Sequence, residues 1–310
     1  MYNTKKLFIS SLLLISFFPL NIIAQTNIDS SAMVPLCPEA LSAVRAMFRA
    51  DSGIPLNPRI VERYEMRRYF REKVVFTGSR GDRVSAYLAV PKEGLKPYPV
   101  VLQFHVVGGS KESWWIETSF ERGLAITDSL LRSGIAVLAL DAQYHGERVL
   151  NNDFMLPQQL YLEEKWYYKF RDGMVQTIGD YLRAVEYLGI REEIDTSRIG
   201  VIGHSIGGVM AVLFASIDIR VKGVVTSVSA YTDSWLFPVS SINIAPAVEA
   251  PTLILAANND NVINPDATRI LFNSLGSEIK QIEFYDSGHR LPEENIGRSF
   301  QWLLTYLQNR

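Results

Sequence analysis

From position 99 onward, short apolar runs alternate with amphipathic stretches of helical period. The runs at 100–104, 135–140, 198–202, 221–228, 252–257 and 281–285 have strand length and are rich in β-branched residues. Between them the period changes. At about 172–188, Val175, Ile178, Leu182, Val185 and Leu188 fall on one helical face. An apolar helix is predicted over 206–217, and others end at Gly134 and lie near 266–275 and 293–308. The last carries a stripe of Ile296, Phe300, Leu303 and Leu307. Upstream, 73–77 and 84–90 flank the turn cluster Ser79-Arg80-Gly81-Asp82 and predict a hairpin. Residues 38–49 predict a helix with Pro38 near its start. Strands alternating with helices predict the α/β class, a mostly parallel sheet covered on both faces.

The first residues follow a different pattern. Lys5 and Lys6 precede an apolar run over 7–18 broken only by serines, and Ala24 offers a small residue before Gln25. This is the layout of a secretory signal peptide over 1–24. Pro19 and Asn21 argue against a spanning anchor. No later apolar stretch reaches the ~18–20 residues of a membrane span, so stable membrane insertion after cleavage is not expected. The expectation is an exported protein, periplasmic or secreted. Residues 25–69 then form a linker and helical extension, and 70–310 a single domain with an aromatic-rich insertion at about 149–171.

Composition narrows the classes. With 31 Lys+Arg against 33 Asp+Glu and a net charge of −2, nothing points to nucleic acid as a partner. The single cysteine, Cys37, cannot form an internal disulfide or a zinc cluster. No metal-ligand spacing appears, and no metal or cofactor is expected.

In a parallel sheet, ligands bind beyond the carboxyl ends of the strands. The strand at 198–202 runs into Gly203-His204-Ser205-Ile206-Gly207-Gly208 and then a helix. This is G-x-S-x-G in a strand–turn–helix context. The sharp turn lifts a serine hydroxyl clear of the sheet, and residues two positions away must lack side chains. A serine needs a base, and the base needs an orienting carboxylate. Of the four histidines, His289 follows the last predicted strand, whereas His204 abuts Ser205 on the turn and points away. Asp260 follows the strand at 252–257 and is the preferred acid by position; Asp233 and Asp286 are the alternatives. The backbone N–H of Ile206 and one from the loop after the first parallel strand, with Val107 as candidate, would hold an oxyanion. His105, in that loop, reads better as a structural histidine than as a second base.

Together these residues resemble the α/β-hydrolase superfamily, in particular its dienelactone-hydrolase-like and prolyl-oligopeptidase-like serine esterase branch. The resemblance covers about 70–308. It rests on FHVVGGSKES (104–113), LALDAQYHGER (138–148), GHSIGG (203–208), NNDNVINP (258–265) and DSGH (286–289). It implies the α/β-hydrolase fold, with helices on both faces of the sheet and an N-terminal helical extension. It also implies Ser205 as nucleophile, Asp260 as acid and His289 as base. Val106 stands where relatives usually carry glycine, which bears on whether Val107 is the donor. His145-Gly146-Glu147-Arg148 resembles the family loop that shapes the site wall.

The reaction expected is acyl transfer through serine on a small-molecule or carbohydrate ester. His105, Trp114, Tyr144, His145 and Trp235 are the candidate substrate contacts, because aromatic and histidine side chains at strand ends can wall a site. Two other readings stand beside it: a serine peptidase of the prolyl-oligopeptidase type, and a non-catalytic binding relative.

Overall fold

The computed structural model describes residues 36–50, 53–155, 157–162, 164–230, 236–237 and 239–308. The predicted signal peptide and Trp235 lie outside them, as does Asp233.

Among the described residues nine strands form one sheet: β1 (Arg59–Glu65), β2 (Tyr69–Thr77), β3 (Arg83–Pro91), β4 (Tyr98–Phe104), β5 (Ala136–Leu140), β6 (Ile194–His204), β7 (Val221–Ser227), β8 (Thr252–Ala257) and β9 (Lys280–Tyr285). Their spatial order is β1-β2-β3-β5-β4-β6-β7-β8-β9. β1, β2, β3 and β5 pair antiparallel, and every pairing from β5 through β4 to β9 is parallel. The helices are α1 (Pro38–Met47), α2 (Gly123–Arg132), α3 (Pro157–Leu162), α4 (Tyr167–Gly189), α5 (Ile206–Ile217), α6 (Ser241–Ile244), α7 (Pro265–Ser274) and α8 (Glu294–Gln308).

Alternation along the strands builds two cores. Val100, Leu102 and Phe104 of β4 face a core shared with α4 and α5, including Ile178, Tyr181 and Phe214. Val101 of β4 and Val137 of β5 face the other core, with Leu130 of α2 and Leu303 of α8. All seven residues of β4 are buried. A strand covered on both faces reads as a continuous apolar run, which is why its period is not two.

Two expectations change. β1 belongs to the sheet, although the sequence pattern places residues 59–65 in the extension. All seven of its residues are exposed, so RIVERYE carries no core-facing alternation, and the ladder to β2 alone makes it a strand. Helix α1 of the extension packs on the domain: Val44 and Phe48 enter the core, and the Arg45 guanidinium donates to the Ser216 carbonyl at 2.8 and 3.1 Å. The aromatic insertion is partly the start of a helix, since Tyr167, Tyr168 and Phe170 lie in the first turn of α4.

Candidate active site

The end of β6 and the start of α5 place Ser205. Its backbone sits at φ 53°, ψ −123°, a strained conformation for a residue with a side chain. Backbone crowding explains the flanking glycines. A Cβ on Gly203 would lie 2.2 Å from the Gly207 carbonyl oxygen, and one on Gly207 would lie 2.3 Å from that of Phe104. The strain is held from both sides: the Ser205 N–H donates to the Ser227 carbonyl at 2.8 Å, and the Ser229 hydroxyl donates to the Ser205 carbonyl at 2.9 Å.

β8 and β9 are parallel neighbours, so the loops after them emerge side by side. They carry Asp260 and His289. His289 Nε2 lies 3.1 Å from Ser205 Oγ, and His289 Nδ1 lies 2.8 Å from Asp260 Oδ2. A carboxylate only accepts, so Nδ1 carries the proton and Nε2 presents its lone pair to the hydroxyl. The other Asp260 oxygen accepts from the N–H groups of Val262 and Ile263 at 2.8 and 3.0 Å. The carboxylate is nearly buried and thereby fixed in place. Asp286 is engaged elsewhere: its carboxylate accepts from the Asn259 amide at 2.6 Å and ties the two loops together. Phe120 packs against His289 with ring centroids 5.3 Å apart.

The two candidate oxyanion donors, Ile206 and Val107, line one cavity. Ile206 is the first residue of α5, where N–H groups lack partners inside the helix. In the loop after β4, the Val106 N–H is committed to the Glu121 carboxylate at 2.9 Å. Val107 is therefore the next donor along the loop. Burial pushes the Glu121 carboxyl above its ordinary range, partly offset by this hydrogen bond.

The proposed substrate contacts separate. His105 is a strut. Its Nε2 accepts from the Ala142 N–H at 3.1 Å and its Nδ1 lies 2.8 Å from the Val106 carbonyl, and burial lowers it to about 4. Trp114 is a core residue: it is fully buried among the side chains of α2 and α8, so it does not reach a substrate. A tryptophan just after a site loop reads the same whether it lines a cleft or fills the core. His145 is buried with its Nδ1 on the Gln143 carbonyl at 2.9 Å, and burial lowers it to about 3. It packs edge-on to His105. Tyr144 adopts a positive φ of 67°. Tyr144 and His145 line a cavity with Val107, Ile206, Met174 and Met210.

Residues not singled out from sequence complete the frame. Lys111 and Asp141 bind each other in the interior, and Glu121 holds the Val106 backbone. Both Lys111 and Asp141 lie in motif blocks quoted above, but their pairing is a long-range contact that no spacing rule reveals.

The arrangement can activate a hydroxyl, stabilise the imidazolium that forms and hold a developing oxyanion. A sequence profile of the dienelactone hydrolase family matches residues 84–290. YtaP of Bacillus subtilis (strain 168) is 32% identical over 145 residues, 46% of this chain and 46% of that protein. The chain spans about half the length of the curated relatives it matches. Among solved structures, acetyl xylan esterase 1 from Thermoanaerobacterium sp. JW/SL YS485 has a TM-score of 0.66 at 19% identity, covering 94% of this chain and 98% of that one. A cold-adapted esterase from an Arctic intertidal metagenomic library has a TM-score of 0.65 at 18% identity, covering 82% and 100%. These two share the fold.

Proposed function

The chain belongs to the dienelactone hydrolase family, and we propose that it is an exported serine hydrolase that cleaves carboxylic esters through an acyl-enzyme. One observation carries the reading: a single imidazole, His289, bridges Ser205 Oγ and the buried Asp260 carboxylate. His289 Nε2 takes the Ser205 proton as Oγ attacks the ester carbonyl. The N–H groups of Ile206 and Val107 hold the oxyanion, and Asp260 stabilises the imidazolium. The imidazolium then gives its proton to the leaving alkoxide, and a water repeats the sequence on the acyl-enzyme.

Carbohydrate or other small extracellular esters are the substrate class we propose. The fold shared with an acetyl xylan esterase agrees with it, as does the leader pattern at 1–24. Export predicts a mature N-terminus at Gln25, read by N-terminal sequencing of protein recovered outside the cytoplasm; an uncleaved cytoplasmic chain overturns that part.

The central test is labelling by a fluorophosphonate probe. We expect labelling of the wild type and none of Ser205→Ala. A folded wild type that stays unlabelled sinks the hydrolase reading and leaves a binding protein. Hydrolysis of prolyl anilides in preference to p-nitrophenyl esters would favour a peptidase.

A further inference from the structure

The cavity beside the oxyanion donors has a definite size, polarity and direction. It is lined by Val107, Ile206, Tyr144, Phe170, Met174 and Met210, among others. About 20 Å³ of it is open to the centres of water-sized groups. One water takes roughly 10–15 Å³ on that measure, so the space holds about one or two such groups. None of the described residues lining it is Lys or Arg, and burial keeps His145 neutral by lowering it to about 3.

Direction follows from the tetrahedral intermediate. Its carbon bears Ser205 Oγ, the oxyanion, the leaving oxygen and the acyl carbon. The oxyanion must face the N–H groups of Ile206 and Val107. The leaving oxygen must reach His289 Nε2, which supplies its proton and which lies 3.1 Å from Ser205 Oγ. The acyl carbon is the remaining substituent. It points away from His289, and the cavity that Val107 and Ile206 help to line is the space next to those donors that could receive it.

Building on the serine-esterase reading, we infer that this cavity is an acyl pocket that accepts acetyl or a similarly short, uncharged acyl group. Met174, Met210 and Phe170 set its depth. A butyryl chain adds two methylenes, which the side chains of α4 and α5 must move to admit. Met174 and Met210 are buried at 4% and 3% exposure in that packing, so they are not free to swing into solvent. A carboxylate-bearing acyl group would leave its charge in an apolar space without a cation, which is unfavourable.

The test is a series of p-nitrophenyl acetate, butyrate and hexanoate with the p-nitrophenyl half-ester of succinate. We expect kcat/KM to fall about tenfold or more from acetate to butyrate, the size of effect that extra methylenes in a hydrophobic pocket produce. We also expect the succinate half-ester to be poorer than butyrate. Met210→Ala is expected to raise butyrate relative to acetate, and Met174→Ala provides the same reading should the first variant not fold. Equal rates on acetate and hexanoate by a wild type that the fluorophosphonate labels overturn the acyl pocket alone. So does a Met210→Ala or Met174→Ala variant that changes preference among leaving alcohols but not among acyl chains. A wild type that is neither labelled nor active on any ester overturns the serine-esterase reading, and the pocket with it.

Discussion

Lys111 Nζ lies 2.8 Å from Asp141 Oδ2, and neither side chain has any solvent exposure. The same carboxylate accepts the backbone N–H of Lys111 at 2.9 Å and that of Glu147 at 3.0 Å. Asp141 therefore fastens the loop that carries Val107 to the loop after β5. Gly146 makes room for it, since a Cβ there would lie 2.3 Å from the Asp141 carboxyl carbon. Burial is the largest single influence on the Lys111 ammonium and would lower its pKa, but the charge and hydrogen bond of Asp141, together with Glu112 and Glu147, outweigh it and hold the pKa above its ordinary range.

Removing Asp141 leaves the buried Lys111 ammonium with only the half-exposed carboxylates of Glu147 and Glu112, at 3.0 and 3.2 Å. Asp141→Ala is expected to lower stability by about 3 kcal/mol, the low end for a broken buried pair because those two partners remain. The double variant Lys111→Met with Asp141→Leu should lose less than Asp141→Ala, because no charge is stranded. Urea unfolding of the three proteins checks both statements. A loss near zero for Asp141→Ala would mean that Glu147 and Glu112 hold Lys111 without it and that the loop is not fastened through Asp141.

In the proposed mechanism Asp260 governs orientation rather than attack. Asp260→Asn keeps the shape but replaces an acceptor with a group whose amide end donates, so the imidazole loses the partner that fixes its tautomer. In a triad this lowers kcat by about 10³–10⁴. KM should change little, because Asp260 touches His289 and its own loop rather than substrate. Steady-state kinetics on p-nitrophenyl acetate decide it. A drop below tenfold would place the orienting role on another group.

Three buried histidines predict acid sensitivity. Burial lowers His105 to about 4 and His145 and His204 to about 3, against an ordinary value of 6.5. Below pH 6.5 the unfolded chain takes up protons that the folded chain refuses. Stability is therefore full above that pH and falls as the pH drops toward 4. Each histidine contributes a slope of about 1.4 kcal/mol per pH unit within that window. Glu121 and Asp180, whose carboxyls burial pushes up, act in the opposite sense just above the ordinary carboxylate range. Comparison with His204→Gln isolates one histidine. Its urea midpoint should decline less steeply between pH 6.5 and 5 than that of the wild type; parallel curves would show that His204 takes up its proton in the folded state.

What was legible in the sequence follows from the range of each interaction. β4 was visible because burial on both faces leaves a run that is apolar but for Gln103, whose amide nitrogen donates to the Thr127 hydroxyl. The turn at Ser205 was visible because crowding two residues away on either side permits only glycine. The closeness of Asp260 and His289 to Ser205 followed from their positions after parallel strands. β1 was hidden because its exposed residues report no core, and the ladder that makes it a strand comes from β2. Trp114 was misplaced because local sequence does not separate a cleft wall from a core. The Lys111–Asp141 pair was hidden because the two residues meet only once β4 and β5 are neighbours.

Gly207 tests the joint between the turn at Ser205 and the loop after β4. A Cβ there would meet the carbonyl oxygens of Phe104 and His105 at 2.3 and 2.5 Å. Both are backbone atoms of the segment leading to Val107, so relief must come from moving α5 away from that segment. Gly207→Ala is then expected to lower stability by about 1–3 kcal/mol, as overpacking does. The same movement separates the Ile206 and Val107 donors, and a displacement near 1 Å is enough to lower kcat about 100-fold. Gly189, the last residue of α4, has open space where a methyl group would sit, with no atom within 4 Å. Gly189→Ala should therefore leave kcat unchanged and raise stability by about 0.4–1 kcal/mol through the unfolded chain. Thermal unfolding and p-nitrophenyl acetate turnover on both variants check the contrast. A Gly207→Ala protein with wild-type kcat would show that the two donors do not depend on this close approach.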